Sequence, residues 1–214
     1  MREIVLDTET TGMDPVEGHR IVEIGCVELF NHLPTGVTWH HYINPERDID
    51  AGAMAVHGIK NEFVKDKPIF GEIIGSLIDF LGDAKLIIHN AEFDIKFLNA
   101  EFKRCGFPLL KVQDAIDTVL IARKKFPGSP ANLDALCRRF NIDLSGREHH
   151  GALLDAELLA LVYLELLGGR QHGLGLAPEK KPAIGTKDSA GNITVAVERP
   201  FRATRPHRAS EDEL

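Results

Sequence analysis

The sequence predicts an α/β or α+β domain built on a central mixed β-sheet, followed by a flexible C-terminal tail. Three stretches suited to strands come first, helical periodicities then alternate with a further apolar run, and the composition changes after Gly169. Consecutive strands followed by alternating helices and strands are typical of a sheet flanked by helices. With 214 residues and a hydrophobic fraction of 43%, the chain can bury a full core.

The strands are predicted from short apolar or alternating runs. The first three are expected to form an antiparallel meander, and the fourth is an all-apolar run typical of an interior strand: Ile4–Leu6, Ile21–Phe30, Thr38–Ile43 and Leu86–Ile88.

The helices are predicted from apolar residues that recur every three or four positions. One helix follows Asn90, which is expected to cap it, and stops at Gly106. The others are predicted over Ile69–Leu81, Asp114–Lys125, Asn132–Phe140 and Gly151–Leu167.

The charge is unevenly distributed along the chain. Up to residue 170 there are 18 Lys and Arg against 26 Asp and Glu, a net charge of −8, whereas the rest carries 7 against 6. Tight autonomous binding to nucleic acid is therefore unexpected, because that affinity rests on neutralising phosphates. A polyanionic substrate would need divalent cations or a partner that delivers it.

Compartment and membrane association are predicted from what the sequence lacks. The N-terminal residues do not have the pattern of a secretory signal, and no apolar run approaches the roughly 20 residues that span a bilayer. The cysteines (Cys26, Cys105 and Cys137) are widely spaced and form no CxxC pair. We therefore expect a cytoplasmic protein with reduced thiols and no membrane association.

Acidic residues that follow apolar segments are the candidates for chemistry. Asp7 and Glu9 lie two residues apart on a strand, so their side chains share a face, and hard divalent cations would remove their mutual repulsion. Asp94 follows the apolar strand and Asp155 lies in the first turn of an apolar helix. The alternatives are a solvated strand end and acids that stabilise helix N-termini.

Two neighbours of these acids also suit chemistry. His150 precedes the helix of Asp155, in a turn loosened by Gly151, and an imidazole there has a pKa suited to a general base; the alternative is a surface histidine in a loop. Phe93 is expected to lie against a base of a nucleic acid.

The three motifs in this order resemble the DEDDh (DnaQ-like) 3′→5′ exonuclease family. They read D-x-E-T-T-G from Asp7, H-N-x-x-F-D from His89 and H-G-x-x-x-D from His150, and the resemblance covers residues 2–169. It implies a ribonuclease H-like, mixed five-stranded sheet. It also implies two divalent cations, Mg²⁺ or Mn²⁺, bound by Asp7, Glu9, Asp94 and Asp155, with His150 as the general base. The substrate-binding residues that it implies are Thr10, Gly12, His57, Asn90 and Phe93.

A fuller string of motifs is most similar to the proofreading branch of that family: IVLDTETTGM at 4–13, VHGI at 56–59, ARKKFPG at 122–128, NLDALC at 132–137 and HGALLDAELLA at 150–160. This implies removal of mispaired DNA 3′ ends, single-stranded or frayed, by a subunit of a replicative polymerase. The partners it implies are the polymerase catalytic subunit, a sliding clamp and a small stabilising subunit. Two alternatives stay open: an RNA-trimming DEDDh exonuclease, and a non-catalytic adaptor between polymerase and clamp.

The chain is expected to divide into three segments. Residues 1–169 form the exonuclease domain. Residues 170–177 contain Gln171, Leu174 and Leu176, which resemble the Q-x-x-L-x-L/F peptide that docks replication proteins on the clamp. Residues 178–214 are expected to be a linker and a partial polymerase-binding tail, in which Ile193–Val197 would order against a partner.

Overall fold

The computed structural model describes residues 1–146 and 149–169, together with the backbone of two short strands at 185–187 and 193–195. The chain divides into two units, residues 1–173 and 174–214. Among the described helices, none combines the length and the apolar character that a membrane crossing requires.

The first unit contains a five-stranded mixed sheet in the order β3-β2-β1-β4-β5. Antiparallel pairing joins β1 to β2 and β2 to β3, whereas β4 runs parallel to both β1 and β5. The predicted mixed sheet and its antiparallel meander are therefore confirmed. The strands are β1 (Arg2–Thr10), β2 (Ile21–Phe30), β3 (Leu33–Tyr42), β4 (Lys85–Ile88) and β5 (Ile116–Asp117).

Helices cover both faces of this sheet, and β1 contributes apolar side chains to both of these faces. Ile4 and Leu6 belong to the core cluster that includes α3 and α4, and Val5 belongs to the cluster that includes α6 and α7. Successive side chains of a strand point to opposite faces, so β1 serves both cores. The helices are α1 (Ala51–His57), α2 (Asn61–Val64), α3 (Phe70–Leu81), α4 (Ala91–Cys105), α5 (Thr118–Lys125), α6 (Leu133–Arg139) and α7 (Ala152–Leu166).

The third strand begins earlier than the predicted Thr38. Asn31 and His32 both have positive φ, 50° and 68°, and this two-residue turn joins β2 to β3 as a tight hairpin. Phe30 therefore pairs with Leu33 and the strand starts there. The prediction missed residues 33–37 because they are exposed and lack an apolar alternation.

The predicted helix over Asp114–Lys125 is wrong in its first turn. A 3₁₀ turn over Val112–Asp114 is followed by β5, where Ile116 pairs with Ile87, and α5 begins only at Thr118. The Asp117 carboxylate sets that start, because it accepts a hydrogen bond from the Val119 amide at 2.8 Å.

The same carboxylate also replaces the predicted cap of α4. Asn90 is left-handed, with φ 70°, and its side chain makes no capping hydrogen bond. The Asn90 and Ala91 amides donate instead to the two oxygens of Asp117, both at 3.3 Å. Asn90 therefore occupies the N-cap position, as predicted, but the capping hydrogen bonds come from one acid at the end of β5, which caps two helices.

The second unit contains a small hairpin. β6 (Gly185–Lys187) pairs antiparallel with β7 (Ile193–Val195). Part of the segment Ile193–Val197, which was expected to order against a partner, thus pairs with its own chain. The predicted clamp-binding residues Gln171, Leu174 and Leu176 lie outside the described residues.

Candidate active site

The end of β1 presents two acids to the face on which α7 packs. Asp7 lies opposite Gly25 and Glu9 lies opposite Glu23 on β2, and directly opposed residues share a face of the sheet. The register shifts immediately after Glu9. Such irregularities bend a strand and re-aim its side chains, and they are common beside active sites.

Gly25 lets α7 approach the strands at this point. A Cβ added to Gly25 would lie 2.3 Å from the Ala152 carbonyl carbon and from the Leu153 nitrogen. Backbone of the first turn of α7 therefore rests directly on the backbone of β2. Asp155, in that turn, is thereby brought towards Asp7, and it is 4% exposed.

The fourth acid comes from α4. Asp94 is 3% exposed, and its Oδ1 accepts a 2.7 Å hydrogen bond from the hydroxyl of Thr8, which lies between Asp7 and Glu9 on β1. The predicted acids Asp7, Glu9, Asp94 and Asp155 are thus contributed by β1, α4 and α7, and the fold brings them together.

The pKa values of two acids in the cluster are raised. Burial raises the pKa of Asp7 well above its ordinary value, and repulsion from Asp94, Glu9 and Asp155 adds to that rise. Burial likewise raises the pKa of Asp94 to about 7, against the opposing effect of the Thr8 hydrogen bond. Burial and mutual repulsion therefore disfavour the ionised carboxylates, and a bound divalent cation would remove that penalty.

His150 lies beside the acids, as predicted. Its Nδ1 is 3.1 Å from Oδ2 of Asp155, and its side chain is 47% exposed. Its backbone amide also donates to the Val56 carbonyl at 3.2 Å. Ligand atoms of Glu9, His150 and Asp155 all lie within 4.8 Å of one another, which is compact enough to surround one metal ion.

A cleft of about 550 Å³ opens next to this cluster. Four of the five predicted substrate-binding residues line it: Thr10, Gly12, His57 and Phe93. The fifth, Asn90, lines a different cleft of about 490 Å³ together with His89. The structure therefore gathers most of the predicted set and separates Asn90 from it.

His57 is held in one tautomer within this wall. Its Nδ1 accepts a hydrogen bond from the Ile59 amide at 3.0 Å, so Nε2 carries the hydrogen and faces the Thr10 carbonyl at 3.3 Å. Burial lowers the pKa of His57. The side chain is therefore a neutral, fixed part of the cleft wall.

Two residues of this region were missed by the sequence interpretation. Glu23 is buried opposite Glu9 and is therefore a fifth carboxylate on the same face of the sheet. Its Oε1 lies 2.7 Å from Nε2 of His40. His19 is buried in the cleft wall, and its Nδ1 lies 3.1 Å from the Thr11 hydroxyl. Glu23 joins the site only through its strand register with Glu9, and no local pattern indicates His19.

A family model described as "RNase_T: Exonuclease" matches residues 4–163 of the chain. The chain belongs to this exonuclease family. The match contains every acid of the cluster and His150, and we therefore describe the domain as a DEDDh 3′→5′ exonuclease.

Relatives of this exonuclease include subunits of a DNA polymerase. It is 60% identical over 174 residues to the DNA polymerase III subunit epsilon of Rickettsia felis, covering 80% of this chain and 76% of the relative. It is 44% identical over 221 residues to the same subunit of Salmonella typhimurium, covering 100% and 89%. A solved structure of exonuclease X in complex with 5′ overhanging duplex DNA has 27% identity and a TM-score of 0.61, covering 77% of this chain and 90% of that one.

Proposed function

We propose that this exonuclease proofreads DNA as a subunit of a replicative polymerase, removing mispaired 3′-terminal nucleotides as nucleoside 5′-monophosphates. The observation that carries the proposal is the convergence of Asp7, Glu9, Asp94 and Asp155 beside His150, next to a cleft of about 550 Å³ that Glu9 lines. The names of the relatives support the link to a polymerase.

The acidic cluster fits divalent cations. Its residues offer only hard oxygen ligands, apart from the neighbouring imidazole, and burial and mutual repulsion raise the pKa of Asp7. We propose that Asp7, Glu9, Asp94 and Asp155 bind two such ions, Mg²⁺ or Mn²⁺. Bound cations would stabilise the negative charge that develops on a phosphodiester during hydrolysis.

We propose that His150 removes the proton of the attacking water. With Nδ1 donating to Asp155, the lone pair of the imidazole lies on Nε2, and that atom can accept the proton. The water oxygen then attacks the terminal phosphodiester phosphorus, and the bond to the 3′ oxygen of the preceding nucleotide breaks. The released 3′ oxygen is protonated, and the new strand end is one nucleotide shorter.

Proofreading would follow from access to the cleft. A mispaired end frays more readily than a paired end, so single-stranded termini reach the cleft more often. The chain's net charge of −7 suits delivery of DNA by partners, because tethering raises the effective concentration without tight binding. We propose the polymerase, a clamp docked through Gln171, Leu174 and Leu176, and a small stabilising subunit as those partners.

The test uses 5′-labelled single-stranded DNA, an RNA copy, and matched or mismatched primer ends. We expect a Mg²⁺-dependent ladder that shortens from the 3′ end, runs faster on DNA and on mismatched ends, and disappears reversibly in EDTA. Preference for RNA would favour the RNA-trimming alternative. Absence of cleavage of either polymer, despite bound polymerase and clamp, would favour the adaptor.

His150→Ala tests the proposed base. We expect turnover to fall by about 10²- to 10⁴-fold, the usual contribution of general base catalysis, while calorimetric Mn²⁺ binding is retained. Asp155→Ala is the comparison, because it should lose both turnover and Mn²⁺ binding. Full activity of the His150→Ala protein would remove His150 from this role.

A further inference from the structure

Beside the cleft of about 550 Å³ lies a second cleft, of about 390 Å³, that the proposed chemistry does not use. Its walls combine aromatic, imidazole and ammonium groups: Tyr42, His57, Lys60, Phe63 and His149. None of the described residues that line it is acidic, in contrast to the acidic cluster next to it and to a chain of net charge −7.

The aromatic part of this second cleft is an ordered pair of rings. Tyr42 and Phe63 meet edge to face, with centroids 4.7 Å apart and an interplanar angle of 89°. Phe63 is nevertheless 45% exposed, so its ring remains partly available for contact. The Lys67 ammonium lies 4.4 Å from the Phe63 centroid and adds a second cation to Lys60.

The second cleft adjoins the cleft of the candidate active site. His57 lines both clefts, so it forms the wall between them. His149 packs against Gly58, where an added Cβ would come within 3.1 Å of its ring, and His149 directly precedes His150 in sequence. A strand whose terminal phosphodiester lies beside His150 can therefore continue into the second cleft.

From this arrangement we infer that the second cleft binds single-stranded DNA immediately 5′ of the scissile phosphate. The Phe63 ring stacks against the base of the second or third nucleotide from the 3′ end, and Lys60 and Lys67 contact the phosphates of that segment. Aromatic rings combined with cations are how proteins hold single strands without reading their sequence. The inference rests on the proposed exonuclease function and adds a substrate segment to it.

The experiment compares two substrates that differ only in whether they reach the second cleft. One is a single-stranded oligonucleotide, and the other is the p-nitrophenyl ester of thymidine 5′-monophosphate, which has no upstream nucleotide. For Phe63→Ala we expect the ratio of kcat/KM for the oligonucleotide to kcat/KM for the ester to fall at least about fivefold, as for loss of one stacked base. The change should appear mainly in KM.

A matched control and a second measurement keep the result interpretable. Phe30→Ala also removes an exposed aromatic ring, but Phe30 pairs with Arg2 at the opposite end of β1 from Glu9, so its ratio should not change. An abasic site at the second or third nucleotide should reduce wild-type cleavage as much as Phe63→Ala does. The same abasic site should have no further effect on the variant, and one placed far upstream should affect neither protein.

Each outcome decides between the two proposals. An unchanged ratio for Phe63→Ala, or abasic effects that add to those of the variant, would overturn the inference while leaving the exonuclease function intact. If the wild-type protein hydrolysed neither substrate, the proposed function would fail and the inference with it. Phe63→Leu, which keeps apolar volume without the ring, should show the reduced ratio even if Phe63→Ala folds poorly.

Discussion

Gly25→Ala should misplace the active site without adding a polar or charged group. The new Cβ would lie 2.3 Å from the Ala152 carbonyl carbon and the Leu153 nitrogen, whereas ordinary contacts begin near 3.4 Å. Both obstacles are backbone atoms, so no side chain can rotate away. The first turn of α7 must therefore move by about 1 Å relative to β2.

That movement would carry Asp155 away from Asp7, which lies opposite Gly25. A misplacement of about 1 Å can reduce turnover by about 100-fold, and forcing a methyl group into a packed contact costs about 1–3 kcal/mol. The assay measures kcat on single-stranded DNA at saturating Mg²⁺, with urea unfolding in parallel. We expect a large loss of kcat in a protein that remains folded.

Gly75→Ala is the control, because its added Cβ meets nothing within 4 Å and it lies in α3. Alanine in a helix interior should raise stability by about 0.5–1 kcal/mol and leave kcat unchanged. A Gly25→Ala protein with the wild-type kcat would refute the reasoning, because the close approach of α7 to β2 would then not set the geometry of the acids.

Three further predictions concern electrostatics, helix capping and ion pairing. Burial raises the pKa of Asp94 to about 7. In EDTA, the folded protein therefore retains a proton on Asp94 that the unfolded chain releases near pH 4. The free energy of unfolding consequently falls as the pH rises from about 4 to 7. Asp94→Asn should therefore have a higher Tm than wild type in EDTA at about pH 8, and a wild-type Tm that rose over that range would contradict the linkage. Asp117→Ala should cost about 1–2 kcal/mol in urea unfolding, because it removes the caps of α4 and α5 together; an unchanged midpoint would mean that water replaces both caps. Arg20→Ala should cost about 3 kcal/mol, because the guanidinium contacts both oxygens of Glu101, at 2.5 and 2.9 Å, and that carboxylate is 1% exposed. Arg104→Ala removes only a single 3.2 Å contact and should cost less, so the reverse order would contradict the assignment.

Periodicity revealed the parts of the fold in which many residues repeat one pattern. The apolar run that begins β1, the moderate alternation of β2 and the long apolar sequence of α7 were sufficient for correct predictions. β5 has only two residues, which are too few to show a periodic pattern, and the strand with which it pairs, β4, is distant in sequence. The helices α1 and α2 were not predicted because they are also too short to show a clear helical periodicity.

The site could be predicted where spacing or contrast marks a residue. Asp7 and Glu9 share a strand face, and Asp155 stands out within an apolar helix turn. Glu23 becomes part of the site only through its register with Glu9, which sequence spacing alone does not reveal. The N-cap position of Asn90 could be predicted, but the capping side chain could not, because Asp117 is distant in sequence.

The acids of the site are far apart along the chain, although β1 pairs with β4 and contacts α7. Asp7 is made almost first during synthesis, whereas Asp155 emerges about 150 residues later. At about 5–20 residues per second, an emerging chain lacks a complete acid set for several seconds or more. Under the proposed mechanism, a nascent or truncated chain that ends before α7 would lack Asp155 and His150, and we expect DNA hydrolysis only after α7 has packed against β1 and β2.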